Sequence, residues 1–263
     1  MTLILKQLKL DTSDKITKSV FGNVVETGTE TKGHLCVKQK EEEDAEIKQA
    51  NLLYGELLPQ GLRRSLDKKH LNGKNAKIVF DLGMGIGKNV VMIFLEHPNI
   101  ACVIGIELSS SRYKLAEEYV HKLVDKYSKH LRITEYKSGK ITKISDLCGR
   151  RLEIICGNLF DELPRICLAD IILFNVEIPV PLYTKLYDFF KEAKKGCRIM
   201  SYLNLKNLFD TMKQESIVEQ LEVNKEDDLI QTSWSSEGCH MFMWTRCGAI
   251  IKDTKIKEGI KYK

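Results

Sequence analysis

One stretch constrains this chain more than any other: Val79-Phe80-Asp81-Leu82-Gly83-Met84-Gly85-Ile86-Gly87-Lys88-Asn89. Ile78 to Leu82 reads as a short buried strand. Val90 to Leu95 reads as an apolar helix that Pro98 stops, and three alternating glycines join the two. Glycine accepts positive φ angles and lets a ligand lie against bare backbone. The helix start offers N–H groups that have no partner within the helix. One unit later, Cys102-Val103-Ile104-Gly105-Ile106-Glu107 reads as a second apolar strand ending in an acid. A carboxylate at that place can accept both hydroxyls of a ribose.

Two adenosine cofactors suit such a layout. Dinucleotide enzymes space their glycines G-x-G-x-x-G, with the helix start facing a pyrophosphate. Here the spacing is G-x-G-x-G behind an acid. Asp81 repels a pyrophosphate but suits a ligand that carries an ammonium and a sulfonium. S-adenosylmethionine is that ligand, and the pattern resembles the first motif of Rossmann-like methyltransferases. The plain alternative is a tight βα turn with no ligand.

The chain has 263 residues, which permits one large domain or two small ones, and its 43% hydrophobic content supports a sizeable core. The net charge is +5, but 36 acids offset 41 bases, so the surface is mixed with a mild pull toward anionic partners. No two of the eight cysteines form C-x-x-C, which argues against a zinc site, and no metal is expected. Cys102, Cys156 and Cys197 read as small core residues. With no secretory signal or membrane-spanning run, a reducing cytosolic or nuclear setting, no membrane contact and a monomer are the expectation.

In chain order, residues 1–50 read as a polar, solvated arm with one helix, 51–250 as the catalytic domain and 251–263 as a basic tail. Tyr54-Gly55-Glu56 is a loop feeding a helix that starts at Pro59 and carries Leu62 and Leu66 on one side. It should hang over the cofactor mouth. Ser109 or Ser110 caps a helix running to about Tyr127, with Leu115, Ala116, Tyr119, Val120 and Leu123 inward. Lys129 to Arg150 reads as a basic loop. Leu152–Cys156 is a third strand ending in Gly157-Asn158-Leu159, and Ala169–Phe174 a fourth ending in Asn175. Later strands fall at 197–201, 217–223 and 240–246. The alternation implies an α/β fold: a seven-stranded, mostly parallel, doubly wound sheet with helices on both faces. Asp81, Glu107, Asn158 and Asn175 then share its carboxyl edge, where ligands bind.

Five stretches in order carry a further resemblance: Tyr54-Gly55-Glu56-Leu57-Leu58-Pro59, Asp81 to Gly87, Gly105-Ile106-Glu107, Lys195 to Ser201, and Ser233-Trp234-Ser235. Over roughly Asn51 to Arg246 the chain resembles the catalytic domain of the Disruptor-of-telomeric-silencing family. These are Rossmann-like, non-SET methyltransferases that modify a lysine in the core of nucleosomal histone H3. The Tyr-Gly-Glu loop is the most specific part, because generic methyltransferases lack it. The resemblance implies S-adenosylmethionine as cofactor and S-adenosylhomocysteine as product. It implies that Tyr54 and Glu56 close over the methionyl end, that Asp81, Gly83 and Gly85 form the floor, and that Glu107 holds the ribose. Asn158 stands where the family has an aspartate receiving the adenine amine, with Leu159 beneath the ring. Asn175 matches the asparagine beside the transferable methyl. Trp234, and more loosely Met241 and Phe242, match the wall of the lysine channel. The implied setting is the nucleus and the implied partner the nucleosome, with nonspecific DNA contact through 129–150 and 252–263.

The chain departs from the family after Asn175, where Val176-Glu177-Ile178-Pro179 replaces a second asparagine and aromatics. The alternative reading is therefore a methyltransferase of the same architecture acting on another protein lysine or a small molecule. A cofactor-binding module without catalysis is a third, against which Asp81, Glu107 and Asn175 weigh.

Overall fold

The computed structural model describes residues 13–23, 31–47, 52–222 and 229–248. Its strands, in chain order, are β1 (Ile78–Leu82), β2 (Cys102–Glu107), β3 (Leu131–Lys137), β4 (Ile141–Asp146), β5 (Arg151–Cys156), β6 (Ile171–Phe174), β7 (Arg198–Ser201), β8 (Val218–Gln220), β9 (Leu229–Thr232), β10 (Ser235–His240) and β11 (Phe242–Arg246). Nine of them form one sheet in the order β3-β4-β5-β2-β1-β6-β7-β11-β8, and β9 and β10 pair separately. From β5 to β7 the strands are parallel, and β11 runs antiparallel between β7 and β8. This is a Rossmann-like α/β fold with a parallel core and helices on both faces of the sheet.

The pleat explains the two layers. Along β1, Val79 enters the core on one face while Phe80 and Leu82 enter the core on the other. The longer helices are α1 (Ser13–Phe21), α2 (Gln39–Ile47), α3 (Pro59–Ser65), α4 (Lys88–Glu96), α5 (Ser110–Lys126), α6 (Tyr183–Glu192) and α7 (Leu205–Thr211). Apolar residues of α1, α3, α4 and α5 pack on the first face, and those of α6 and α7 on the second. Ser109 caps α5, its Oγ accepting the Arg112 N–H at 3.2 Å. Ala116, Val120 and Leu123 of that helix are buried, and Leu115 and Tyr119 are half-buried against the same core.

Two expectations need correction. Residues 131–146 are not a loop but the antiparallel hairpin β3–β4, which extends the seven expected strands to nine. Lysines mask its β pattern: Ile141, Thr142 and Ile144 are strand formers, and Gly139 takes the turn at φ 68°. Nor is the whole N-terminal region a solvated arm. Ile16, Val20 and Phe21 of α1 are fully buried against α4 and α5. The tail at 252–263 lies outside the described residues.

Candidate active site

The carboxyl ends of β1, β2, β5 and β6 open onto a cleft of about 390 Å³. Gly83, Gly85 and Gly87 turn the chain from β1 into α4 with φ of 84°, 58° and 82°. A methyl on Gly83 would lie 2.1 Å from Val176 Cγ1, and one on Gly85 would lie 2.6 Å from Tyr54 Cε2. The segment after β6 and the Tyr54 ring therefore lie directly on glycine backbone, and a side chain there displaces one or the other.

The acids are held differently from one another. Glu107 is buried and accepts the Gly85 N–H at 2.9 Å and the Ser109 N–H at 2.8 Å. Burial raises its pKa, against the pull of Arg112, whose guanidinium is 4.0 Å away, and of these two N–H donors. Asp81 stands behind the glycine turn and is fully buried. Burial, and then the Glu107 charge, push it up to about 7. Its Oδ2 has no hydrogen-bond partner among the described residues, and neither does Oδ1 of Asn175 at the end of β6.

Tyr54 forms part of the cleft wall. Its hydroxyl donates to Glu56 Oε1, and Glu56 Oε2 accepts Lys88 Nζ at 2.8 Å. Burial, and then the Glu56 charge, hold the phenol well above the usual tyrosine pKa. Arg112 lies 4.4 Å over the Tyr54 ring and donates to the carbonyls of Gly33 at 2.9 Å and Leu52 at 2.6 Å, tying the N-terminal region to the site. Glu41 of α2 reaches the start of α5, accepting Ser109 Oγ at 2.9 Å and Ser110 Oγ at 3.2 Å, and also lines the cleft. Hydrogen bonds from these serines and Ser111 outweigh its burial and lower its pKa.

Of the residues singled out in the sequence, Tyr54, Gly83, Glu107, Asn158, Leu159 and Asn175 line this cleft together. Glu56 and Gly85 line a smaller recess beside it that shares Tyr54 and Gly83. Asn158 Oδ1 accepts the Phe160 N–H at 3.0 Å, so it caps the turn after β5. Trp234 lies across Gly55, in the turn between β9 and β10. Met241 is buried in the core, and Phe242 stacks on Trp244 with ring centroids 5.7 Å apart; neither lines the cleft. Sequence reasoning missed Glu41, Lys88 and Arg112. Arg112 had a signal, three residues past a serine cap and five past Glu107. Glu41 had none, because its role depends on how α2 docks.

These residues suit a cationic adenosine ligand. The Asn175 oxygen without a donor among the described residues lies in the cleft, whereas Asp81 and Trp234 line neither the cleft nor the recess; Ile106, Leu159 and Ile178 give the cleft an apolar wall beside its acids. The family model described as "Histone methylation protein DOT1" matches residues 47–246. No curated protein matches the chain. Among solved structures, an RNA methyltransferase from Salinibacter ruber in complex with S-adenosyl-L-homocysteine is 16% identical; the match covers 73% of this chain and 94% of that one, at a TM-score of 0.43. An O-methyltransferase from Bacillus cereus is 14% identical over 81% and 93%, with a TM-score of 0.43. Trm1 from Pyrococcus horikoshii with S-adenosyl-L-methionine is 15% identical over 72% and 55%, with a TM-score of 0.46.

Proposed function

The chain belongs to the DOT1 family of histone methylation proteins and is an S-adenosylmethionine-dependent methyltransferase, and on that premise we propose that it methylates a lysine in the globular core of nucleosomal histone H3. The observation that carries the reading is Asn175. It ends a central parallel strand in the cleft that Tyr54, Glu107 and Gly83 share, with a buried amide oxygen that has no donor among the described residues. An acceptor so placed can receive an amine N–H and aim its lone pair.

In this reading Glu107 holds the ribose, and Asp81, Gly83 and Gly85 form the floor under the cationic end. Tyr54 and Glu56 close over it, and Trp234 walls the acceptor channel. Leu159 lies beneath the adenine. Asn158 receives the adenine amine with the lone pair that its turn leaves over. Bound S-adenosylmethionine supplies a methyl on a sulfonium, an electrophile open to in-line displacement by an amine. The protein's part is to bring the lysine up neutral, although a free lysine has a pKa near about 10.4. An apolar wall disfavours the ammonium by desolvation. Alignment by Asn175 and the loops then supplies much of the rate. No general base is assigned. The reading places the protein in the nucleus. Exposed Lys129, Arg132, Lys137 and Lys140 around β3–β4 are its candidates for DNA contact, whereas Arg150 is committed to Asp146 at 2.8 Å.

A second reading, another lysine or a small-molecule acceptor, has one specific support. Val176, Glu177, Ile178 and Pro179 all line the cleft, where the family pattern differs. Tritiated methyl transfer onto intact nucleosomes, free histones, naked DNA and free amines separates the two. The proposal expects label on nucleosomal H3 above the others. Label on free amines at an equal or higher rate supports the second reading instead.

A further inference from the structure

Three hydrogen bonds, two of which make up one antiparallel bridge, bind residues 54–58 to the end of β9 and the turn that follows it. The Glu56 N–H donates to Ser233 Oγ at 2.9 Å. The Ser233 N–H donates back to the Glu56 carbonyl at 2.8 Å, and the Leu58 N–H donates to the Gln231 carbonyl at 3.0 Å. Leu57 and Thr232 form an antiparallel bridge. Across the same seam, a methyl on Gly55 would lie 2.2 Å from Trp234 Cε3, so the indole rests on bare backbone. On the other side of the loop, Glu56 takes the Tyr54 hydroxyl and Lys88 Nζ, and Lys88 opens the helix that follows the glycine turn. One continuous path thus runs from the glycine turn through Lys88, Glu56 and Ser233 to Trp234.

We infer that Ser233 is a positioning residue that locks the loop over the cofactor and the turn bearing Trp234 into one unit, so that each site is ordered by occupation of the other. Ser233 is 5% exposed, and its hydroxyl is the one side-chain acceptor given to the buried Glu56 N–H among the described residues. Removing it leaves a buried donor unpaired and loosens the seam, which then rests on its two backbone bonds. The coupling is reciprocal: whatever factor the acceptor adds to cofactor affinity, the cofactor adds to acceptor affinity. The inference rests on the proposed function above, which sets Tyr54 and Glu56 over the cofactor and Trp234 on the acceptor channel.

The test uses the full chain as Ser233→Ala and Ser233→Thr, with thermal unfolding as the control for folding. Titration calorimetry with S-adenosylmethionine is run with and without nucleosomes. Ser233→Ala is expected to bind S-adenosylmethionine about tenfold more weakly, the scale of one lost hydrogen bond to a buried group. It is expected to lose the difference that nucleosomes make, while Ser233→Thr, which keeps the hydroxyl, recovers both. Wild-type affinity and wild-type coupling in Ser233→Ala overturn the inference, as does a Ser233→Thr variant as weak as alanine. If alanine at 233 does not fold, Gly55→Ala reads the same seam by forcing the indole off the loop. Unchanged cofactor affinity together with unchanged acceptor KM in that variant overturns the inference equally. A wild-type chain whose S-adenosylmethionine affinity nucleosomes leave unchanged overturns the coupling, whereas the absence of methyl transfer onto nucleosomes, with affinity still lowered in Ser233→Ala, overturns the histone reading and leaves the clasp standing.

Discussion

At the scale of single residues, the site is organised by buried carboxyls: Glu56 pairs with Lys88, Glu107 lies 4.0 Å from Arg112, and Asp81 has, among the described residues, only burial and the Glu107 charge acting on it. Asp81 has a folded-state pKa of about 7 against an ordinary 3.8. The folded protein therefore holds a proton that the unfolded chain releases between those values. Stability falls as pH rises through that window and levels off above it. A cationic ligand favours the ionised carboxyl, so S-adenosylmethionine affinity is expected to rise with pH up to about 7 and then flatten. Asp81→Asn should flatten that profile, and calorimetry across pH 5.5 to 8.5, on the order of the window set by the buried carboxyl, reads it. S-adenosylhomocysteine, which lacks the sulfonium charge, should show the weaker pH dependence. Glu107→Ala is expected to weaken cofactor binding by about tenfold to a hundredfold, the scale of a charged acceptor lost; unchanged affinity removes Glu107 from the ribose. The placement of Asp81, Glu107 and Asn175 at strand ends was legible in the sequence because an apolar run fixes each strand. Arg112 and Glu41 were not, because their contacts join segments far apart in the chain.

At the scale of elements, close approaches of backbone to backbone fix where the loops stand. Gly61 of α3 faces β9 so tightly that a methyl there would meet the Gln231 carbonyl at 2.2 Å. Glycine to alanine inside a helix ordinarily stabilises by about 0.5–1 kcal/mol. Here the sign should reverse: Gly61→Ala is expected to lower Tm and to push away the hairpin that carries Trp234. Thermal unfolding checks the first effect. Arg246 offers a second case. It is buried on β11 and caps α6 by donating to the carbonyls of Phe190 at 3.1 Å and Lys191 at 2.8 Å. Arg246→Leu takes the donor from the Lys191 carbonyl, at about 1–3 kcal/mol for a buried group left unpaired, while the Phe190 carbonyl keeps the Ala193 N–H at 3.1 Å; denaturant unfolding reads the loss. The helices and central strands were legible from periodicity. The hairpin β3–β4 was not, because its lysines read as a solvated loop when strand pairing to β5 is out of view.

For the whole molecule, the seven expected strands and their helices appear in the expected chain order, and the added hairpin extends one edge. The docking of residues 13–23 and 31–47 was invisible in the sequence, since a short amphipathic helix looks the same solvated or packed. If the basic surface grips DNA, replacing Lys129, Lys137 and Lys140 with glutamine, or deleting residues 252–263, should weaken nucleosome binding without altering cofactor affinity. The deficit should be greatest at low salt, because phosphate contacts weaken steeply as salt rises. A salt series of nucleosome binding decides that. The central claim is that Asn175 stands beside the methyl that this cleft delivers to nucleosomal histone H3. Its most direct test measures S-adenosylmethionine affinity and single-turnover methyl transfer to nucleosomes side by side for wild type and Asn175→Ala. The account predicts cofactor affinity within a few-fold and transfer slowed about a hundredfold, the scale of one interaction made at the transition state. Transfer by Asn175→Ala at the wild-type rate would contradict it.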